Sequence, residues 1–274
     1  MKTPVSQKVA QHLSTARRTT VLPPRVLDSL AQANIRFSYT RDLRRANSNQ
    51  NFTRLFQNDP RLVRREIVNW NLAEKEDKAS PNYMPDEQTS VHLTMLFDAA
   101  DKNTFCNLAN PEAMDYLTDA HSRFFRFMRV RDFESVSLHL GFAAEELTKD
   151  PLDLHSVPQS KVLSRLEMMA HTLYSLLGLK RNLDEVGYSG KLLIETLDYQ
   201  VDRVGEEDVS AYEHITDPGF LAEVLGRTGY GLLFDAAHLL ISAENMGYAG
   251  HLQYVEAMLG GKGEDLHEIH LAVP

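Results

Sequence analysis

Short apolar runs recur along this chain, each separated from the next by a longer stretch whose apolar residues keep helical spacing. That alternation limits the possible folds more than any other feature. The runs are Asn34 to Tyr39 (NIRFSY), Ile67 to Leu72 (IVNWNL), Ser90 to Phe97 (SVHLTMLF), Ser135 to Phe142 (SVSLHLGF), Gly190 to Leu197 (GKLLIETL), Gly229 to Asp235, and Leu266 to Ala272 (LHEIHLA). Their nearly continuous apolar character suits strands buried on both faces of a parallel sheet. The stretch from Pro111 to Arg131 places Tyr116, Leu117, Phe124, Phe127 and Met128 on one helical face, and Lys161 to Leu179 does the same with Leu163, Leu166, Met169, Leu173 and Leu177. Shorter helices are expected from Pro218 to Gly226 and from Gly250 to Leu259. Strand followed by helix, repeated, predicts an α/β fold with a parallel sheet covered by helices.

The length of 274 residues matches a TIM-type (β/α)8 barrel, for which about 250 residues is typical. Seven strands are legible and Pro274 follows the seventh directly, so the barrel is expected to be incomplete at its C-terminal end. An open sheet would carry two unpaired edges, which the long N-terminal segment could cover. Residues 1–33 read as a polar arm and a helix, which Pro23-Pro24 opens and which runs to about Gln32; residues 34–274 read as the barrel domain, truncated after its seventh strand.

Charge divides the chain. Residues 1–70 hold 13 Lys and Arg against 4 Asp and Glu, a balance of +9, which leaves −18 for residues 71–274 of a net −9. The acidic body disfavours a phosphate-backbone ligand, so nucleic acid is an improbable partner. The basic head (Arg17, Arg18, Arg41, Arg44, Arg45, Arg64, Arg65) reads either as solvated helix faces or as a contact for an acidic peptide, a partner or nucleic acid. Cys106 is the single cysteine and can form no internal disulfide. With no signal-like N-terminus and no long apolar span, the expectation is a soluble cytoplasmic protein with no membrane partner.

The strands also carry a repeated chemical device. His92, His139, Glu195, Asp235 and His270 sit at or near the ends of successive strands, and His238 follows Asp235 by three residues. Residues three apart on one strand face opposite ways, so a turn at Ala236-Ala237 is expected to bring Asp235 and His238 together. In a parallel barrel the C-terminal strand ends converge on one mouth. Nitrogen and oxygen donors gathered there suit iron, manganese or zinc. Any one of these histidines alone is more often a hydrogen-bonded core residue; the repetition is what points to a metal. His12, His121, His155, His171, His214, His251 and His267 read as structural. His267 should face away from His270 on a regular strand, whereas Glu268 shares the face of His270 as a supporting group or further ligand.

The order His, His, Glu, Asp-x-x-His, His on successive strands resembles the endonuclease IV and xylose isomerase-like superfamily of metal-dependent barrels. Within it, LLIETLDY (192–199), AYEHITDPGFLAEVLGRTGYGLLFDAAHLLISAENMGY (211–248) and EIHLA (268–272) are similar to blocks of the multinuclear non-heme iron-dependent oxidase (MNIO) family. The likeness is specific over about residues 190–272 and looser over 88–142. It implies two or three irons held by His92, His139, Glu195, Asp235, His238 and His270. Glu195 would bridge, and Glu195 and Asp235 would be the catalytic pair. It also implies an oxidoreductase of natural product biosynthesis that uses dioxygen to modify residues, cysteine above all, of a ribosomally made precursor peptide, with a small partner protein presenting the peptide. Asn245 and Glu244 would help to position ligands. Thr196 stands where the family often has Asn, and the superfamily's Asp-x-His pair after strand seven and Glu on strand eight have no counterpart here. Two other readings stay open: a zinc- or manganese-dependent hydrolase or isomerase on the same barrel, and a catalytically impaired barrel that acts as a binding protein.

Overall fold

The computed structural model describes residues 24–33, 35–40, 61–68, 89–93, 107–111, 123–144, 147–149, 156–158, 162–199, 214–248, 250–260 and 265–270, with Arg54, Phe56 and Asp59 as single positions. In chain order the elements are α1 (Pro24–Gln32), β1 (Arg36–Thr40), β2 (Val63–Val68), β3 (Thr89–Leu93), α2 (Arg123–Met128), β4 (Ser135–His139), β5 (Leu147–Lys149), β6 (Ser156–Pro158), α3 (Arg165–Glu185), β7 (Lys191–Glu195), α4 (Pro218–Thr228), β8 (Gly231–Asp235), α5 (Ala236–Asn245), α6 (His251–Leu259) and β9 (Leu266–His270).

Strands β1, β2, β3, β4, β7, β8 and β9 form one parallel barrel, as the alternation of runs predicts. The expected open edges do not occur. β9 pairs in parallel with β1, through Arg36 with Glu268 and Ser38 with His270, so among the described residues the sheet closes with seven strands. Helix α1 lies over this seam: Leu27 and Ala31 pack with Phe37 of β1 and Ile269 of β9, alongside Phe56 and Leu62. The barrel is thus closed by hydrogen bonds and covered by the N-terminal helix.

Local chemistry sets the helix ends that matter. Ser164 caps α3 and forms a reciprocal capping box with Glu167. Asp217 caps α4, Pro218 occupies its first turn, and Gly229 ends it with φ +70°, a conformation that disfavours a side chain. The main core lies between sheet and helices. Outward-facing Val91, Leu93, Val136, Leu138, Ile194 and Leu232 pack there against Phe125, Met168, Leu176, Leu179, Phe220, Val224 and Tyr254, all of them buried.

Several expectations require correction. The second strand begins four residues before the predicted Ile67, which brings Glu66 into the sheet. The turn expected at Ala236-Ala237 is the start of a helix, α5, that runs from Ala236 to Asn245. The antiparallel pair β5–β6 was not foreseen. On α3 the buried face is Met168, Met169, Thr172, Ser175, Leu176, Leu179 and Leu183, whereas Leu166 and Leu177 are exposed. Strands read as continuously apolar in fact alternate, with small and ionisable residues turned inward. The polar arm over residues 1–23, the loop between β2 and β3 and most of the basic head lie outside the described residues.

Candidate metal centre

The inward faces of the strands fill the barrel with polar side chains. Ser38, Glu66, Ser90, His92, Ser135, Ser137, Glu195, Asp235 and Glu268 are all buried. The register sets their height: His92 pairs with Ser137, His139 with Glu195, and Asp235 with His270. These pairs occupy the C-terminal ends of β3, β4, β7, β8 and β9, so five predicted donors reach one level of the barrel. One group is His92, His139 and Glu195; the other is Glu195, Asp235 and His270. Within each group the ligand atoms lie within 4.8 Å of one another, and Glu195 belongs to both.

The spacing distinguishes hydrogen bonding from a shared ion. Bonds from nitrogen or oxygen to such metals are about 2.1 Å, so two donors on one ion stand about 3–4.2 Å apart depending on their angle. Glu195 Oε1 is 3.6 Å from His139 Nε2, and Glu195 Oε2 is 3.5 Å from His92 Nδ1. The first exceeds a good hydrogen bond and matches donors on either side of an ion, whereas His92 Nδ1 is within hydrogen-bond distance of Ser137 Oγ. His270 Nδ1 lies 3.2 Å from Asp235 Oδ2. Among the described residues, Glu195 Oε2 and His139 Nδ1 are buried without a hydrogen-bond partner. Leaving a buried carboxylate oxygen unsatisfied costs about 1–3 kcal/mol or more, which an ion would offset. The donor set therefore fits a metal on both geometric and energetic grounds.

Surrounding groups fix the donors. Ser137 Oγ is 2.9 Å from His92 Nδ1 and sets the rotation of that ring. Asp235 ends β8 and caps α5, accepting from the backbone N–H of Ala237 (2.7 Å) and His238 (2.9 Å) through one oxygen. Its other oxygen faces His270. After His139 the chain turns at Gly141 (φ +82°), where a Cβ would stand 2.3 Å from Asn107 Oδ1. Buried Asn107 accepts from Phe142 N and donates to Ala144 O, pinning the loop at this edge of the mouth.

His238, the sixth predicted ligand, is placed differently. Its Nδ1 is 3.0 Å from both Glu195 Oε1 and the carbonyl of Thr196, distances of a hydrogen bond, and it completes neither donor group. Because Thr196 contributes its backbone carbonyl, the departure from Asn at that position does not remove the contact. Glu268 lies in the layer below, accepting from Ser90 (3.1 Å) and Ser135 (2.8 Å) through its two oxygens. Asn245 and Glu244 are exposed at the far end of α5; Asn245 donates to Tyr199 O and does not touch the donors.

Charge is balanced by opposed shifts. Burial drives His92 down to about 3, against the pull of Glu195. Burial pushes Glu195 up, but the charges of His139 and His92 and the hydrogen bond from His238 hold it well below the usual carboxylate range. Burial also disfavours imidazolium at His238 and His270, yet Glu195 raises the first to about 10, and Glu66 and Asp235 raise the second to about 10. Burial pushes Glu268 up, only partly offset by its serine hydroxyls. Without a cation, protons on His238 and His270 offset part of the carboxylate charge; a bound ion would take their place.

Of the histidines read as structural, His171 and His214 bond the carbonyls of Ala109 and Leu163, while His12, His121 and His155 lie outside the described residues. His267 is a correction. The register slips between Leu232 and Leu233, so β9 bulges and His267 turns inward, with Nδ1 2.8 Å from Lys191 Nζ at the N-terminal end of the barrel. Gly231 makes room: a Cβ there would stand 2.3 Å from the His267 ring. Glu66, 3.9 Å from His270 Nδ1, was missed because β2 was placed too late in the sequence.

Fold and site together define an α/β barrel with a buried histidine–carboxylate cluster at the C-terminal mouth, able to hold metal. Neither the protein-family models nor the curated proteins give a match. Among solved structures, the chain is similar to 2,3-dimethylmalate lyase, a PEP mutase/isocitrate lyase superfamily member. The TM-score is 0.34 and the identity 11%, over 89% of this chain and 80% of that one. No described helix is long and apolar enough to cross a membrane.

Proposed function

We propose that this barrel is a non-heme iron-dependent oxidase that uses dioxygen to modify residues, cysteine foremost, of a ribosomally made peptide. The observation that carries the metal-dependent part is Glu195, which belongs to both donor groups and stands 3.6 Å from His139 Nε2, an ion-spanning distance. The choice of iron and of a peptide substrate rests on the sequence resemblance over residues 190–272. Mixed imidazole and carboxylate donors serve iron in more than one oxidation state, and iron would supply dioxygen activation and electron transfer. The chain's own groups hold the geometry. His92, His139 and Glu195 would hold one ion and Glu195, Asp235 and His270 another, and His238 orients Glu195 through its Nδ1–H. A neighbouring small protein that presents the peptide belongs to the same reading.

The test is anaerobic loading with Fe(II), metal analysis, and exposure to dioxygen with a cysteine-containing precursor peptide encoded beside this chain. Two or more irons per chain, dioxygen uptake and a mass change on the peptide are expected. Tight stoichiometric zinc or manganese with no dioxygen uptake would favour the hydrolase or isomerase reading, and no stoichiometric metal the binding protein.

A further inference from the structure

We infer that the opposite, N-terminal end of the barrel is a second binding site, in which Arg36, Lys191 and His267 take a small carboxylate. The inference does not depend on the metal centre, because Lys191 lies at the other end of β7 from Glu195, about 13 Å along the strand.

Three strands deliver the donors. Phe37 packs outward beneath α1, so its neighbour Arg36 faces the interior at the start of β1. Lys191 opens β7 on the face that it shares with Leu193 and Glu195. β9 lies beside β1, where Arg36 pairs with Glu268, and the bulge in β9 turns the preceding residue, His267, inward. Its Nδ1 is 2.8 Å from Lys191 Nζ. Two glycines shape this end: a Cβ on Gly231 would collide with the His267 ring, and one on Gly190 with the Tyr188 hydroxyl. That hydroxyl donates to the carbonyl of Lys191 (3.4 Å), which fixes the start of the strand.

Here donors outnumber acceptors. An ammonium that donates to Nδ1 leaves the imidazole neutral with its hydrogen on Nε2, and it leaves Lys191 two further N–H groups. Arg36 Nε stands 3.4 Å from Oε1 of Glu134, the residue before β4. Yet among the described residues neither Nε nor Nη1 of Arg36 has a hydrogen-bond acceptor, although both atoms are buried. Each unsatisfied buried donor costs about 1–3 kcal/mol, and more when charged. Burial and the charge of Arg36 press the Lys191 ammonium below its ordinary value, against the pull of Glu134. A bound anion relieves both the repulsion and the missing acceptors. Charge selects its kind. Arg36 and Lys191 bring two positive charges and Glu134 offsets one, while Asp265 acts on His267 more weakly than Lys191 does. A singly charged carboxylate matches that balance, and a doubly charged phosphate exceeds it. The side chains of Arg36 and Glu134 are 17% and 24% exposed, so a solute the size of acetate can reach them.

The test follows thermal unfolding of the full-length protein as sodium acetate replaces sodium chloride at constant ionic strength. A ligand of the folded state alone raises the midpoint along a saturable curve, which gives its affinity. The parent is expected to show that curve. Arg36→Lys and Lys191→Ala should each weaken acetate about tenfold or more. Glu134→Gln removes the competing carboxylate and should tighten acetate severalfold, an effect that a merely structural Arg36–Glu134 pair would not give. Lys180→Ala, which breaks an exposed pair with Asp184 on α3, should leave acetate affinity unchanged. Glu195→Ala should also leave it unchanged; loss of acetate in that variant would place the anion at the opposite mouth and overturn the inference. A linear, unsaturable response, or parental affinity in Lys191→Ala, would overturn the site. Phosphate binding more tightly than acetate would overturn the carboxylate assignment. Should Arg36→Lys fail to fold by circular dichroism, the other two variants decide: loss in Lys191→Ala with gain in Glu134→Gln supports the site, and parental affinity in both overturns it.

Discussion

The two faces of the same sheet are built on opposite principles. Outside the strands, Val136, Leu138, Ile194 and Leu232 meet helix residues such as Phe125, Phe220 and Leu176 in a hydrocarbon layer. Inside, Ser90, Ser135, Ser137, Glu66, Glu195, Asp235 and Glu268 replace the branched hydrocarbons that ordinarily fill such a barrel. Leu193 and Leu233, the apolar exceptions on inward positions, belong to neither hydrophobic cluster. The outer layer supplies stability by excluding water. The inner one holds groups that are costly to bury and that become compatible with folding through mutual hydrogen bonds, shared protons or a bound cation. Stability and chemistry have therefore been separated onto alternate residues of each strand.

Substitutions on either face should reveal that separation. The largest effect is expected at Glu195→Ala, which removes a donor common to both groups. Bound metal should fall to near zero by elemental analysis while circular dichroism stays that of a folded barrel; retained stoichiometric metal would break the assignment. Phe220→Ala, on the outer face, should do the reverse, costing about 3–5 kcal/mol in denaturant unfolding with metal content unchanged. Ser135→Ala should cost about 1–3 kcal/mol by leaving Glu268 short of a hydroxyl, again with metal retained. Asp235 separates two roles within one residue. Asp235→Asn should keep most of the α5 cap and lose the Asp235–His270 ion, whereas Asp235→Ala should lose about 1 kcal/mol more in thermal or chemical unfolding.

Proton linkage gives a subtler contrast. His238 and His270 are raised to about 10 from 6.5, so in the metal-free protein their contribution to stability is complete below about 6.5 and is lost as pH rises through 10. Glu195, held low, contributes above its usual carboxylate value and loses that contribution as pH falls. Metal-free unfolding free energy should therefore decline on the alkaline side. Loaded protein should reverse this, since the ion displaces the proton of His270, and metal affinity should fall as pH falls. Proton release on loading, measured in weakly buffered solution, checks the sign; a pH-independent affinity would contradict it. The smallest effect is expected at Arg227→Ala. It breaks an exposed i, i+4 pair with Glu223 and should change stability by under about 0.5 kcal/mol.

The chain announces its donors more clearly than their surroundings. Residue type and position at strand ends suffice to nominate His92, His139, Glu195, Asp235 and His270, because in a parallel barrel the ends of strands must converge. Glu66 escaped notice because it follows Arg64 and Arg65 in a run that reads as solvated, ahead of the more obviously apolar Ile67. His238 was legible as a neighbour of Asp235, but its hydrogen bond to Glu195 depends on α5 starting directly from the strand end, with Asp235 as its cap. His267 was assigned the wrong face because one bulge inverts the alternation, and nothing in LHEIHLA marks the slip.

The order of strands and helices, the parallel sheet and the chemical character of the mouth were set by local patterning: period two against period three to four, and the types of residue at strand ends. Closure with seven strands, the covered seam, the arrival of Glu66 beside His270 and the division of Glu195 between two donor groups were decided only in three dimensions. Those features depend on which strands hydrogen-bond to which, and in what register. Residues some 200 positions apart become neighbours through that pairing, and no window of sequence contains the information.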